Sequence, residues 1–424
     1  MQKRIISFFI VLLLLGTTVL QVSGECLDNH ITELNKLHKQ TNNIDFDQEI
    51  EILMRLARTP SLSACIIKED SIVWSNAYGY SNVYKQESAT IDTLYLIASI
   101  SKSITATAIL QLYEQGYCDL DDDVNMYLPF EVRNPNHPDD PITFRMLLAH
   151  QSSFCYNVPL SIYMKENMFL YHYFFFWIHY KDIFKSEFYE DDFYPWIKEI
   201  IIPGGIYYHP EYWGNYQPGE QFYYSGIGYV LLGYLIELLS NQTFEEYCKE
   251  HIFDPLEMFN TSFYLENLPQ DQFAIPYVNL KGILLPLTPY EFKSYNPPAG
   301  LYSTVSDLSH FLIAHMNDGV YDGVRILEED TIYEMHTVHY PESKPRYGLG
   351  WQITDTIMGH SGSVIGYVSF MFSRIDEKKG IVLFINENNL EGMGLLFNGI
   401  YENFERSIRI KIFDLLWEKA DEYK

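Results

Sequence analysis

Apolar and polar positions divide the chain into a strand-bearing start, a helical middle and a strand-bearing end. Ile44, Ile50, Leu53 and Leu56 recur at helical spacing, which predicts a helix over residues 44–58 that "TP" ends at Pro60. "SACIIKEDSIVWSNAYGY" follows, with two short apolar runs around "KEDS", the pattern of a β-hairpin. "IASISKSITATAIL", residues 97–110, reads as a buried helix, and from there to about residue 294 helical patterns mix with Pro-rich loops. "YGLGWQI", "SVIGYVSFMFSR" and "GIVLFINE" are rich in strand formers, with "DEKKG" as the turn between the last two. Phe404, Ile408, Ile412 and Leu415 then place one apolar stripe along a closing helix. Strands at both ends with helices between predict an α+β fold. An antiparallel sheet is built from both chain ends (about 45–105 and 295–424), is flanked by helices, and carries an inserted mainly helical region (about 106–294).

The first residues stand apart from this pattern. Lys3 and Arg4 precede an apolar run from Ile5 to Leu20, and "QVSG" follows, the layout of a secretory signal peptide over residues 1–24 cleaved before Glu25. At about 16 residues the run falls short of the ~20 that cross a bilayer. The expectation is a secreted or secretory-lumen chain, residues 25–424 forming one domain, with no membrane span after cleavage. The formal charge of −27 repels nucleic acid and anionic membranes, and no nucleic-acid partner is expected. Sequons at Asn241 and Asn260 fit a secreted glycoprotein. Cys26, Cys65, Cys118, Cys155 and Cys248 make an odd count, so at least one is unpaired or pairs between chains. No C-x-x-C and no His/Cys cluster with zinc spacing occurs, so neither metal nor cofactor is expected. Cys65, in "ACII", reads as a small core residue.

Lys102 is the misfit in the apolar helix. It lies three residues after Ser99, hence on the same helical face. A serine hydroxyl becomes a good nucleophile only when a neighbour takes its proton. A lysine buried in apolar surroundings loses affinity for its own proton and can do so. The bland alternative is a lysine that snorkels to the surface.

The rest of the chain adds to this motif. "QPGEQFYYSGIGYVLLGYLIELLS", residues 217–240, resembles the second-motif segment of the serine β-lactamase and penicillin-binding-protein superfamily, closest to class C β-lactamases and their esterase and peptidase relatives. Pro218, Gly219, Tyr224, Ser225, Gly228 and Tyr229 fall in the family's places, and "GHSGSVIGY" resembles its third motif, with His360 and Gly362 aligned. "MLLAHQSS", "PAGLYSTVSDLSHFL" and "YGLGW" are similar to supporting stretches and come in the family's order, so the resemblance covers about residues 45–420. It implies a β-lactamase-like fold and catalysis through an acyl-enzyme. Ser99 would be the nucleophile, with Lys102 beside it. Tyr224 would move protons, and the backbone N–H groups of Ser99 and Ser363 would form the oxyanion hole. His360, Gly362 and Gly226 would line the substrate site; for His360 the alternative is a structural histidine bonded to backbone. His150, in "LLAHQ", reads as a loop support.

Two departures matter. Gly226 stands where the family carries an asparagine that binds the substrate's amide, which turns the expectation away from β-lactams. Ser153 replaces a glycine that serves backbone geometry. An elaboration at about 167–208, dense in aromatic residues, is either core of the helical region or a wall beside the site. The expected function is a secreted serine hydrolase acting on an ester or amide of a small or apolar substrate, with a small molecule or peptide as its partner. The alternatives are a D-amino-acid peptidase or β-lactamase, and an inactive member that binds without turnover.

Overall fold

The two apolar runs around "KEDS" become the first two strands of the main sheet, β1 (Ser61–Lys68) and β2 (Ser71–Asn82), paired antiparallel with a short β3 (Glu87–Ser88) outside them. In the computed structural model, residues 45–155, 193–205, 208–280, 283–292, 296–389 and 408–423 are described. The leader, Cys26, Phe404 and most of the aromatic-rich stretch lie outside the described residues.

The chain divides into two units, residues 1–57 and 58–424. In the first, helix α1 (Phe46–Ala57) has Asp47 and Glu49 in its first turn and Arg55 in its last, each at the favourable end of the helix dipole. Its buried Ile50, Leu53 and Met54 share one face.

In the second unit the C-terminal strands β4 (Gln352–Ile353), β5 (Ile357–Val364), β6 (Tyr367–Arg374) and β7 (Lys379–Ile385) join the N-terminal hairpin. The sheet has seven strands in the order β4-β5-β6-β7-β1-β2-β3, antiparallel throughout. Chain ends more than 300 residues apart meet at β1–β7, where Leu62 faces Ile385 and Cys65 faces Val382. The hydrophobic core needs a helix on each face. Helix α4 (Val305–Met316) and helix α5 (Ile408–Glu422) both pack on β1 and β7. Phe370 and Phe372, two apart on β6, meet Phe413 of α5 at ring-centroid distances of 5.5 and 5.7 Å. Met371 between them points into the core on the other side.

"SVIGYVSFMFSR" is two strands rather than one. Ile365 and Gly366 form the turn, with Gly366 at φ +79°, and the third motif lies on β5 before it. No polar residue marks the turn, so the apolar pattern runs straight through it. A second small sheet also lay beyond the pattern: Tyr277–Leu280 pairs antiparallel with Ile283–Pro286 and parallel with Glu387–Asn389.

Two helices carry the centre of the unit. Helix α2 (Ser101–Glu114) is buried on all sides from Ser101 to Leu112, and it packs against the equally apolar α3 (Gly226–Ser240). The hydroxyls of Ser103, Thr105 and Thr107 on α2 are satisfied within the protein. Thr105 and Thr107 donate to the carbonyls of Ser101 and Ser103, and Ser103 Oγ donates to Gly350 O at 2.8 Å. Cys65 is fully buried in β1, with burial pushing its thiol up to about 12. Among the described cysteines none is paired.

Candidate active site

Ser99 lies in a 3₁₀ turn, Ala98–Ile100, that feeds α2. Ala98 takes φ +50°, a left-handed conformation that costs a non-glycine residue about 1–2 kcal/mol. The neighbours hold it there. Ile97 N–H donates to Leu301 O at 2.8 Å, Ile97 O accepts from Ser369 Oγ at 2.7 Å, and Ala98 O accepts from Ser101 Oγ at 2.7 Å. The turn leaves Ser99 only half-buried, at the head of a buried helix.

Lys102 does not snorkel. It is 2% exposed, and its Nζ donates to Ser99 Oγ at 3.2 Å and to Pro298 O at 2.9 Å. Among the described residues no carboxylate pairs with it. Burial without a counter-ion lowers its pKa to about 7. A substantial fraction of the amine is therefore neutral near neutrality and able to accept a proton from the hydroxyl it touches. The ammonium form is held by two rings, Tyr224 at 4.8 Å and Tyr229 at 5.7 Å from Nζ.

Tyr224 sits two residues before the start of α3, half-buried, and Gly226 is the helix's first residue. The Leu148–Ser153 loop backs this segment. Tyr229 OH donates to Leu148 O at 2.7 Å, and the His150 ring lies 4.3 Å from the Tyr224 ring. Ser153 has φ +63°, and its hydroxyl accepts from Asn134 Nδ2 at 3.0 Å, a partner that a glycine would lack. His360 is fully buried on β5. Its Nδ1 donates to Ser361 O at 2.6 Å, and its Nε2 accepts from Tyr347 OH at 2.9 Å. Both ring nitrogens are engaged within the protein, a geometry that favours the structural reading of His360 over substrate contact. Burial, first, and the Lys102 charge lower its pKa to about 3, so it is neutral at working pH.

Gly362 explains how β5 reaches the serine. A Cβ at this position would fall inside 3.0 Å of Ile97 O and Ser369 Oγ, and 3.1 Å from Ala98 Cβ. Only a glycine lets the strand lie against the Ser99 turn, and the next residue is Ser363. Ser363 is fixed from behind. Asn388 Nδ2 donates to Ser363 Oγ at 2.8 Å and to Val364 O at 3.1 Å, while Arg409 of α5 bonds Asn388 Oδ1 at 3.3 Å and Glu387 at 2.6 Å.

The structure thus gathers Ser99, Lys102 and Tyr224 around one amine, and brings the Gly362–Ser363 strand against the Ser99 turn. Sequence reasoning missed Tyr347, Asn388 and Arg409. Tyr347 opens "YGLGW", but nothing in that string announces a bond to His360; Asn388 and Arg409 follow the last sheet strand without any motif.

The beta-lactamase family model matches residues 46–169 and 209–396. The chain belongs to the beta-lactamase family. Within this family of hydrolases, it is 26% identical over 347 residues to protein flp of Staphylococcus aureus strain MW2, covering 81% of this chain and 63% of that protein. It is 28% identical over 349 residues to beta-lactamase-like protein 2 of Dictyostelium discoideum, covering 79% and 56%. The chain spans less than two thirds of the length of these relatives. Among solved structures, it is similar to the octameric penicillin-binding protein homologue from Pyrococcus abyssi, with TM-score 0.61, 28% identity and coverage of 80% of this chain and 72% of that one. The D-amino acid amidase from Ochrobactrum anthropi SV3, solved with D-phenylalanine, has TM-score 0.65 at 21% identity, covering 90% and 100%, a likeness of fold.

Proposed function

We propose that the protein is a serine hydrolase that opens an ester or amide bond of a small or apolar substrate through an acyl-enzyme on Ser99. The observation that carries the reading is the 3.2 Å contact between Ser99 Oγ and the amine of a buried lysine whose pKa is lowered to about 7. Neutral Lys102 takes the hydroxyl proton as Oγ attacks the carbonyl carbon. The oxyanion that forms accepts the backbone N–H groups of Ser99 and Ser363. Tyr224, against the lysine, hands the proton to the departing alcohol or amine as the old bond breaks. Water then adds to the acyl carbon, its proton returns by the same groups, and the acid leaves with Ser99 restored.

Gly226 supports esters and simple amides over β-lactams, because it offers no side chain to a substrate amide. The solved D-amino acid amidase supports one narrower amide reading, a D-aminoacyl amide substrate. Secretion is part of the proposal, resting on the leader pattern of residues 1–24. The test is turnover of p-nitrophenyl esters, D-aminoacyl p-nitroanilides and a chromogenic β-lactam by wild type and Ser99→Ala. Ester or anilide turnover that exceeds lactam turnover and vanishes in the variant is expected. Turnover of the lactam alone, or equal rates in the two proteins, contradicts the reading.

A further inference from the structure

His150 is buried, carries no assigned chemistry, and sits in a backbone conformation few residues accept. Its φ is +58°, in the left-handed region where histidine, asparagine and aspartate are enriched among non-glycine residues. That turn aims its polar groups at the segment bearing Tyr224. His150 O accepts the Tyr223 N–H at 2.9 Å, and His150 Nδ1 accepts the Ser225 N–H at 3.1 Å. The residues on either side of the tyrosine are therefore both tied to this one histidine. The flanking loop residues extend the contact: Gln151 O accepts the Gly219 N–H at 2.7 Å, and Leu148 O accepts the Tyr229 hydroxyl.

The tautomer follows from the bonding. Nδ1 accepts, so in the neutral ring the proton is on Nε2. That atom is buried and has no hydrogen-bond partner among the described residues; the rings of Tyr224, Tyr229, Tyr347 and Phe222 surround the imidazole at 4.3, 5.1, 4.9 and 5.6 Å. An orphaned N–H in an aromatic pocket is unfavourable, and a phenylalanine or leucine would fill the space without it. The histidine is explained by its other nitrogen, the acceptor for Ser225.

We infer that His150 is the positioning residue for Tyr224: its carbonyl and Nδ1 fix the backbone on both sides of the tyrosine, and its ring sets the phenol against Lys102. The inference rests on the proton-transfer role proposed for Tyr224. A phenol misplaced by about 1 Å loses on the order of 10²-fold in rate.

The experiment follows p-nitrophenyl butyrate hydrolysis and thermal midpoints for His150→Asn and His150→Gln, each in wild-type and Tyr224→Phe backgrounds. The side-chain oxygen of His150→Asn reaches the place of Nδ1, and asparagine tolerates the left-handed turn. The oxygen of His150→Gln lies one carbon further out, toward the place of Nε2. His150→Asn is expected to keep kcat within about 5-fold, and His150→Gln to lose about 10²-fold in kcat with KM within 2-fold. In the Tyr224→Phe background the His150→Gln loss should shrink to a few-fold, because the group it positions is gone. Equal rates for the two His150 variants overturn the inference, as does a His150→Gln loss of undiminished size beside Tyr224→Phe. If Tyr224→Phe alone retains full activity, the proposed role of Tyr224 fails, and that result is distinct from a failure at His150. Should His150→Gln not fold, His150→Ala takes its place in the same cycle, with the same expectations.

Discussion

Replacing Gly362 by alanine tests whether the close approach of β5 to the Ser99 turn matters for catalysis. The new methyl would sit about 1 Å inside the 3.0 Å limit to Ile97 O, a backbone atom already engaged by Ser369 Oγ at 2.7 Å. Ser369 Oγ could rotate away, but the Ile97 carbonyl cannot, because Ile97 N–H is tied to Leu301 O at 2.8 Å on the far side. The strand must therefore move off the turn by about 1 Å, taking the Ser363 N–H with it. A donor displaced by that distance loses most of its hold on a developing oxyanion, so kcat/KM for an aryl ester should fall ~10²–10³-fold, equivalent to about 3–4 kcal/mol of barrier. Overpacking should lower stability by about 1–3 kcal/mol, so the protein stays folded. Stopped-flow ester hydrolysis paired with a denaturant titration reads both quantities. A Gly362→Ala protein with near-wild-type kcat/KM would refute the reasoning, because it would mean that the Ser363 N–H is not the second donor or that the turn gives way without consequence.

Four further outcomes follow from the site. If neutral Lys102 is the base, kcat/KM should rise as pH climbs through about 7 and level off above it, and Lys102→Met should lose the activity with it; a profile flat from pH 5 to 9 would contradict this role. The same lysine has a folded pKa below its unfolded value near 10.5, so the unfolded chain binds more protons between about 7 and 10.5; wild-type stability relative to Lys102→Met should be flat below that window and rise by about 3 kcal/mol from pH 6 to 9 in denaturant titrations. Tyr224→Phe should lower kcat by ~10²-fold or more with little change in KM, which steady-state kinetics on a p-nitrophenyl ester will decide. Gly226→Asn restores a side-chain amide at the first residue of α3 and should raise the acylation rate with a penicillin reagent relative to ester hydrolysis; no gain would mean that another feature excludes β-lactams.

What the sequence made legible follows from how local each signal is. The β1–β2 hairpin and the buried helix after Ser99 were legible because short apolar runs around a polar turn, and an unbroken apolar stretch, act within ten or so residues. The neighbourhood of Ser99 and Lys102 was legible for the same reason, since three residues on a helix face fix it. The Ile365–Gly366 turn was hidden because the residues next to it, Val364, Tyr367 and Val368, are apolar, which erases the polar break that marks most turns. Asn388 supports Ser363 across 25 residues and Arg409 supports Asn388 across 21, and no periodicity records such distances. His360 was legible as a member of the third motif but not in its orientation; which way its ring turns depends on Tyr347, thirteen residues earlier and on the other side of β4.

The account's central claim is that Ser99 is a nucleophile activated by Lys102. Intact-mass spectrometry after exposure to a broad serine-reactive phosphonate tests it most directly, with peptide mapping of the product. Wild type should gain one adduct, mapped to Ser99, while folded Ser99→Ala gains none and Lys102→Met reacts at least ~10²-fold more slowly. An adduct on another residue, or one formed equally fast in Ser99→Ala, would contradict the account.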